Sequence, residues 1–195
     1  GKVELYSSIP VTAADISQKS LDIVRGEVGC ETLLLKEGTL EALPDERFDA
    51  IATYSVLHHI PDYVDAVREL ARLCAPSGII VIDHEPSPLY WERKSDFELL
   101  YRRIKKPNFR KYFSLTSYIG KVRRLFDPKF TNEGDIHVWP DDHVEWDVLD
   151  AVLADFGFKK IRQEDFFLHR ADYKAPLLVD ESLHDTRCCA YKKVK

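Results

Sequence analysis

The amino-acid sequence predicts an α/β fold built on a mostly parallel sheet. In its first half, apolar runs of strand length alternate with segments of helical periodicity, and this alternation returns near the end. Strands separated by helices in this order form a parallel sheet with right-handed crossovers. The 195 residues are 45% hydrophobic and 31% charged, which is enough for one domain with a sizeable core. We therefore predict a single domain over residues 1–195.

Four strands are predicted in the first half, because each is a short apolar run bounded by a loop or helix signal. They span residues 11–15 (VTAAD), 32–36 (TLLLK), 48–54 (FDAIATY) and 79–83 (IIVID). Helices are predicted between them, and each has one apolar face. The first helix has its N-cap at Ser17, and its apolar face is Leu21, Val24 and Val28. The second helix begins at residues 61–62, and its apolar face is Val67, Leu70, Ala71 and Cys74.

The alternation stops after the last of these strands, and residues 86–142 are predicted to be a helical insertion within the domain. A helix then follows a capping box formed by Asp142 and Glu145, and it stops at Gly157. The final strands are predicted at 158–167 and 187–194. Elements of the α/β pattern therefore flank the insertion on both sides.

Residues 102–124 of the insertion are strongly basic. Nine lysines and arginines and no acidic residue lie between Leu99 and Phe126, with aromatic residues interleaved. Phosphate contacts and aromatic stacking would suit an acidic substrate such as RNA. A solvated helical face, or a lid over a small substrate, explains the same pattern, and we favour this interpretation. Nucleic acid is therefore kept only as a secondary hypothesis for this segment.

Composition narrows the class of protein further. The net charge of −5 gives no global attraction to nucleic acid, and no apolar run approaches the roughly 20 residues that span a bilayer. No signal-peptide pattern opens the sequence, so we predict a cytoplasmic protein. The cysteines lack metal-ligand spacing and are expected to be reduced thiols. They are Cys30, Cys74, Cys188 and Cys189.

Polar residues follow the predicted strands at the edge where ligands bind in an open parallel sheet. These strand-end groups are Asp15-Ile16, residues 38–41, Tyr54-Ser55 with His58-His59, and Asp83-His84-Glu85. An acid after an early strand can accept hydrogen bonds from both hydroxyls of a ribose, which suits Asp15. An acid at the start of a helix also interacts favourably with the helix dipole, so Asp15 fits that role equally well.

Residues 38–86 carry the most specific pattern, which reads GTLEALPDERFDAIATYSVLHHIPDYVDAVRELARLCAPSGIIVIDHEP. This segment resembles the class I S-adenosylmethionine (SAM)-dependent methyltransferases of the small-molecule type, above all through LHHIPD and through APSG before an apolar strand. The resemblance implies a Rossmann-like sheet with an antiparallel last strand and a helical insertion after the fifth strand. It also implies transfer of a methyl group from SAM to a small-molecule acceptor.

The resemblance also implies roles for individual residues of a cofactor site. The predicted cofactor-binding residues are Asp15, Ile16, Thr39, Leu40, Tyr54 and Ser55. Asp15 would bind the ribose, and Ile16 would pack against the adenine. Thr39 and Leu40 would lie beside the adenine rim, and Tyr54 and Ser55 would lie under the methionine part of SAM.

Two features depart from the family pattern. Thr39 stands where members often have an Asp that accepts from the adenine amino group, and a hydroxyl accepts without charge. The family's first strand and GxGxG loop precede VTAAD, whereas only residues 1–5 stand there, so we expect the glycine-rich motif to be missing or truncated.

A non-catalytic methyltransferase-like scaffold or partner subunit is therefore the alternative to an enzyme. A nicotinamide-linked oxidoreductase also uses an acid after its second strand, but LHHIPD and APSG argue against it.

Methyl transfer from SAM needs a base only when the accepting atom carries a proton. His59 and His84 are the predicted catalytic residues, because imidazole titrates near neutral pH and both follow predicted strands. The alternative interpretation is that His58 is a packed residue capping the following turn and that His84 is merely solvated. No metal site is predicted, because the adjacent side chains of Asp83, His84 and Glu85 point apart in a continuous strand.

Overall fold

The computed structural model divides the chain into two compact units, Gly1–Arg47 and Phe48–Lys195, and each is described by itself. The residues that it describes are 9–36, 39–104, 144–168 and 183–194. Within these ranges, no helix is long and apolar enough to cross a membrane.

The first unit contains the predicted strand–helix–strand sequence. Its elements are β1 (Thr12–Asp15), α1 (Gln18–Val28) and β2 (Glu31–Leu34), and the two strands pair in parallel. Ser17 is the N-cap of α1, as predicted, and its hydroxyl accepts a hydrogen bond from the backbone N–H of Ser20. Of the predicted apolar face only Leu21 is fully buried, whereas Val28 is 40% exposed.

The second unit contains, among its described residues, a four-stranded sheet in the order β3-β4-β6-β5. The strands are β3 (Phe48–Tyr54), β4 (Cys74–Pro86), β5 (Phe158–Phe166) and β6 (Thr186–Lys193). β3 pairs with β4 in parallel, whereas β6 is antiparallel to both β4 and β5. The predicted α/β fold with an antiparallel last strand is therefore confirmed.

Two of the helices in this unit form the main core with the sheet. The helical elements are a 3-10 turn (Leu57–His59), α2 (Tyr63–Leu73), α3 (Pro88–Glu92), α4 (Lys94–Ile104) and α5 (Trp146–Asp155). Buried side chains of α2 and α5 pack with those of β4 and β6 in one cluster. Its members include Val67, Ala71, Ile80, Ile82, Leu149, Leu153 and Tyr191. Burial of this apolar surface is the main favourable term that holds the helices on the sheet.

A buried lysine of β6 secures the carboxyl end of α2. The Nζ of Lys193 donates to the carbonyl oxygen of Cys74 at 2.8 Å and lies 3.4 Å from that of Ala71. The carbonyl of Ala71 belongs to the last turn of α2, where carbonyls lack partners within the helix, and Cys74 follows as the C-cap. A cation at this end of a helix also interacts favourably with the helix dipole.

β4 begins earlier than the sequence predicts. Helix α2 ends at Leu73, so Cys74 is its C-cap and not a member of the helical face, although its side chain is buried. Gly78 allows the close approach of this first part of β4 to β3. A Cβ at Gly78 would lie 2.9 Å from the carbonyl oxygen of Asp49 and 2.7 Å from the sulfur of Cys74.

Helices α3 and α4 follow β4, so the predicted insertion begins with helices. Ser87 is the N-cap of α3, and its hydroxyl accepts from the N–H of Tyr90. The hydroxyl of Tyr101 in α4 donates to the carboxylate of Asp185 at 2.5 Å, and this buried carboxylate also accepts from the N–H of Leu168 at 2.8 Å. This network joins α4 to the end of the sheet.

The rest of the insertion, residues 105–143, lies outside the described residues and includes most of the basic segment. Asp142, one member of the predicted capping box, lies there too. Glu145 is the N-cap of α5 and makes no side-chain capping bond. Gly157 follows the helix with φ of 80°, a left-handed conformation that favours glycine, and the predicted helix stop is confirmed.

Candidate functional site

The carboxyl ends of β3 and β4 lie side by side and carry two strained backbone positions. Tyr54 pairs with Asp83, and the N–H of Ser55 donates to the carbonyl of Asp83 at 2.9 Å. Ser55 has φ of 53° and His84 has φ of 58°. This left-handed conformation costs residues other than glycine on the order of 1–3 kcal/mol, and such strain clusters at active sites and ligand clamps.

A β-bulge in β4 sets the directions of the side chains at the end of that strand. Ile82 pairs with Cys189 and Glu85 pairs with Arg187, so two residues of β4 oppose the single residue Cys188. The extra residue returns Glu85 to the face of Ile82, whereas strict alternation would place it on the opposite face. The prediction that Glu85 is a strand-end group at the ligand edge is corrected by this bulge, because its side chain is buried.

The carboxylate of Glu85 is bound on both of its oxygens. Oε1 accepts from the backbone N–H groups of Val56 and Leu57, each at 2.8 Å. Oε2 accepts from the backbone N–H of His58 at 3.2 Å and lies 2.7 Å from the Nδ1 of the same residue. These bonds offset the desolvation cost of burying a carboxylate, which is high when the group lacks partners.

The two histidines of the LHH segment lie in the 3-10 turn that follows β3. His58 is nearly buried, and its imidazole contacts Glu85. The geometry therefore agrees with the interpretation of His58 as a packed residue of the turn. The rings of His58 and His59 lie 3.9 Å apart between centroids and are tilted by 45°. His59 is half-buried, and its catalytic role stays a prediction.

The imidazole of His84 is held by rings and by a carboxylate. Its centroid lies 4.2 Å from that of Tyr54 and 5.3 Å from that of Phe166. Its Nδ1 lies 2.9 Å from a carboxylate oxygen of Asp83 but makes no hydrogen bond to the described part of the chain, whereas this oxygen accepts from the backbone N–H of His84. His84 is therefore packed against two rings and beside a carboxylate, and it is not merely solvated.

The cysteines near this edge are poor nucleophiles. Burial and a hydrogen bond to Asp83 raise the pKa of Cys188 to about 11. Burial also raises the pKa of Cys189 and of Cys74. Because the thiolate is the reactive form, these side chains are unreactive near neutral pH. All cysteines are free, as predicted, and within the described ranges no group of three or more His, Cys, Asp or Glu side chains could hold a metal ion.

In the first unit, Asp15 ends β1 and shapes the turn into α1. Its Oδ1 accepts from the backbone N–H of Ser17 at 2.7 Å. The neighbouring side chain of Ile16 is 68% exposed. Farther along, the hydroxyl of Thr39 accepts from the backbone N–H of Lys36 at 2.8 Å, and a hydroxyl oxygen has a second lone pair.

The chemistry of these residues fits the nucleoside part of SAM. A carboxylate at a strand end can accept hydrogen bonds from ribose hydroxyls, and the turn at Asp15 fixes its position without neutralising it. The exposed side chain of Ile16 offers an apolar surface of the kind that packs against a flat ring. Leu40 and Thr39 are half-buried, so each is accessible to a ligand.

The comparisons with known proteins agree with the fold. Residues 3–82 match a family model described as a methyltransferase domain. A SAM-dependent methyltransferase structure from Methanosarcina mazei superposes with a TM-score of 0.57 at 15% identity, covering 99% of this chain and 86% of that one. At this identity, the likeness to the solved structure shows the fold.

Two curated relatives are named as methyltransferases. The demethylmenaquinone methyltransferase of Halalkalibacterium halodurans is 29% identical over 109 residues, which are 53% of this chain and 44% of the relative. An uncharacterized methyltransferase of Bacillus subtilis is 39% identical over 118 residues, which are 58% of this chain and 37% of the relative. The chain thus spans less than half the length of these two relatives.

The matched segment and the fold agree with the predicted resemblance: residues 3–82 match a methyltransferase domain, and the fold is that of solved SAM-dependent methyltransferase structures. The cofactor of this class is S-adenosylmethionine, which agrees with the predicted cofactor. All of the predicted cofactor residues and His59 fall within residues 3–82, whereas His84 follows just beyond that segment.

Two features of the site have little signal in the sequence. The left-handed conformations of Ser55 and His84 fall on residues that rarely adopt them, so no glycine or asparagine marks them. The inward direction of Glu85 depends on the bulge, which pairing with β6 creates. The sequence offers only the position of Glu85 three residues after the apolar run 79–82, and a buried carboxylate needs compensating hydrogen bonds.

Proposed function

We propose that the protein transfers a methyl group from SAM to a small-molecule acceptor. The observation that carries this proposal is that the matched methyltransferase segment includes every predicted cofactor residue. The packed histidine with a carboxylate beside it, at the end of β4, adds a group suited to proton transfer. The two observations are independent, because His84 lies outside the matched segment.

Residues of the first unit are proposed to hold the nucleoside part of SAM. Asp15 accepts hydrogen bonds from the ribose hydroxyls, and Ile16 packs against the adenine. Thr39 accepts from the adenine amino group through its second lone pair, and Leu40 covers the rim of the ring. This set supplies one charged acceptor and several apolar contacts, so a neutral nucleoside is preferred over a phosphorylated one.

Tyr54 and Ser55 are proposed to lie under the methionine part of SAM. The aromatic ring of Tyr54 is 62% exposed and already packs against His84 on one side. An aromatic face attracts a nearby positive charge, so this ring suits a sulfonium. The strained backbone of Ser55 is consistent with a position that must meet a ligand closely.

When bound, SAM supplies an electrophilic methyl group whose leaving group is a neutral thioether. The protein therefore needs no acid for the leaving group, and its residues act by positioning and by excluding water. For an acceptor that carries a proton, we propose that the imidazole of His59 or of His84 takes that proton. At His84 the carboxylate of Asp83 stabilises the imidazolium that forms.

The acceptor is proposed to bind beside the insertion. In the second unit, α4 and Leu183, which precedes β6, line a half-open and largely apolar cavity of about 230 Å³. It is lined by Asp96, Phe97, Leu99, Leu100 and Leu183. Phe97 also stacks on Phe167. The ring of the preceding residue, Phe166, contacts His84. An acceptor with an apolar part suits this cavity, and one relative acts on demethylmenaquinone by its name.

Release of S-adenosylhomocysteine from SAM tests this proposal in the full-length protein. A catechol, a demethylmenaquinone and a primary amine serve as acceptors. We expect turnover with at least one of them, and for a hydroxyl acceptor His59→Gln or His84→Gln should lower kcat by roughly 100-fold or more.

His184→Gln is the matched control, because it changes a histidine of the same unit outside the proposed site. Its kcat should stay near that of the unchanged protein. Methylation of RNA alone would contradict the small-molecule acceptor. Binding of neither SAM nor S-adenosylhomocysteine would favour the non-catalytic scaffold instead.

A further inference from the structure

Glu85 belongs to β4 but supplies the hydrogen-bond acceptors for the turn after β3. The 3-10 turn Leu57–His59 begins after Val56, and no side chain of its own segment caps it. The first N–H groups of a helical turn lack partners within the turn and need acceptors from elsewhere. The two oxygens of Glu85 meet this need for Val56, Leu57 and His58.

The same carboxylate also fixes the protonation of the His58 ring. An ionised carboxylate only accepts hydrogen bonds, so Nδ1 of His58 must carry a proton at the observed 2.7 Å. In the neutral ring this places the lone pair on Nε2. A histidine in water prefers the opposite tautomer, with its proton on Nε2, so the contact has a distinct spectroscopic signature.

The fixed ring of His58 in turn limits the ring of His59. The two centroids are 3.9 Å apart, which leaves the His59 imidazole little room to rotate toward its neighbour. His58 cannot move away without breaking its bond to the buried Glu85. The orientation of His59 is therefore connected to Glu85 through a single intervening ring.

We propose that Glu85 is a positioning residue that holds the turn and the His58 ring, and thereby orients His59 toward the methyl acceptor. The part that concerns the acceptor rests on the proposed function. The part that concerns Glu85 and His58 rests on contacts within the second unit and can be tested without any acceptor.

The tautomer of His58 provides the first test, by ¹⁵N NMR of the imidazole nitrogens at about two pH units above the usual histidine pKa of about 6.5. We expect a protonated Nδ1 in the unchanged protein, together with a nuclear Overhauser contact between the rings of His58 and His59. A proton on Nε2 of His58 would overturn the proposal, whether or not any variant folds.

Glu85→Gln provides the second test, because it keeps the shape but adds an N–H₂ group that cannot accept. We expect His58 to change to the Nε2-protonated tautomer and the contact between the rings to weaken. Glu164→Gln is the matched control, since Glu164 is an exposed residue of β5 paired with Arg162. It should leave both signals unchanged. Unchanged signals in Glu85→Gln would overturn the proposal.

The third test uses whichever acceptor supports release of S-adenosylhomocysteine. Glu85→Gln should lower kcat roughly tenfold or more while leaving the KM for SAM within about twofold, because the residue acts on His59 and not on the cofactor. A kcat for Glu85→Gln equal to that of the unchanged protein would overturn the role of Glu85 in orienting His59. If no acceptor reacts and SAM does not bind, the proposed function fails, while the tautomer of His58 still decides the role of Glu85.

Discussion

Asp15 is the residue on which recognition of the cofactor depends most directly in this account. Its Oδ1 is engaged by the N–H of Ser17, and asparagine can keep that bond through its own side-chain oxygen. Asp15→Asn should therefore preserve the turn and remove only the charge. We expect SAM affinity to fall by about 1.5–3 kcal/mol, the usual contribution of a hydrogen bond to a charged group.

Isothermal titration calorimetry with SAM measures this change, which corresponds to a loss of roughly 10- to 100-fold in Kd. Asp22→Asn is the control, because Asp22 is an exposed residue of α1 whose ion pair with Arg25 is worth little. Equal affinities for the Asp15 variant and the unchanged protein would exclude the assignment of Asp15 to the ribose.

For single residues, the sequence predicts which side chains have a local role better than it predicts the directions in which side chains point. Asp15 and Ser17 were predictable, because their roles follow from local chain order at a strand end and a helix start. The burial of Glu85 was not, since it depends on a bulge that forms only when β4 pairs with β6. Local order also could not predict that the rings of Tyr54 and His84 touch, because they lie on different strands.

Among the elements, β4 has the tightest packing requirement at Gly78. A Cβ there would lie within 3 Å of the Asp49 carbonyl, the Cys74 sulfur and the Ala75 carbonyl. Gly78→Ala should destabilise the protein by about 1–3 kcal/mol or more, because a backbone must move to admit the methyl group. Urea unfolding measures the difference.

Gly26→Ala is the matched substitution in α1. A Cβ at Gly26 meets nothing within 4 Å, and alanine is the better helix former. The free energy of unfolding should therefore rise by up to about 1 kcal/mol. Equal effects of the two substitutions would contradict the packing at Gly78.

The contact of Lys193 at the carboxyl end of α2 should contribute to stability. Lys193→Met removes the buried cation that donates to the carbonyl of Cys74, and leaves that carbonyl without this partner. We expect a loss of about 1.5–3 kcal/mol by urea unfolding. Lys192→Met is the control, because Lys192 is the exposed neighbour on the same strand and should change stability by less than about 0.5 kcal/mol. A similar loss for both would argue against the contact.

Element boundaries show where local patterns predict well. β3 was predicted to the residue, and the stop of α5 at Gly157 follows from the conformational freedom of glycine. The start of β4 was predicted too late, because Ala75 to Gly78 reads as a turn in isolation. Pairing with β3 and the close approach at Gly78 extend the strand instead.

At the scale of the molecule, buried thiols and a buried phenol link stability to alkaline pH. Folding raises the pKa of Cys188 from its ordinary 9.0 to about 11, and burial raises the pKa of Cys189 and Tyr191 as well. Below the ordinary pKa both states are protonated, so stability is unaffected. Above it the unfolded chain releases protons that the folded chain keeps, so the free energy of unfolding falls as pH rises.

Urea unfolding at about pH 8 and about pH 10.5 should show this decline. Cys188→Ala should make the decline smaller, because one of the linked groups is removed. Cys30→Ala is the control, since Cys30 is half-buried like Cys188 but is not one of these linked groups. If the free energy of unfolding falls equally in Cys188→Ala and in the unchanged protein, Cys188 is not one of the linked groups.

The fold class was predictable for the whole chain because the order of strands and helices is periodic and locally encoded. The antiparallel direction of β6 came from family resemblance, whereas its position between β4 and β5 was not predicted, since no local pattern specifies strand order. The proposed function rests on the methyltransferase segment over residues 3–82 and on the packed groups at the ends of β3 and β4.

The most direct test of the central claim is thermal unfolding of the full-length protein with and without S-adenosylhomocysteine. A ligand at 100 times its Kd stabilises the folded state by about 2.7 kcal/mol, so the account predicts a rise in Tm of several degrees. SAM should act in the same way, whereas a nicotinamide dinucleotide at equal concentration should not. No rise with either adenosyl ligand, or a rise with the dinucleotide alone, would contradict the assignment of this chain as a working SAM-dependent methyltransferase.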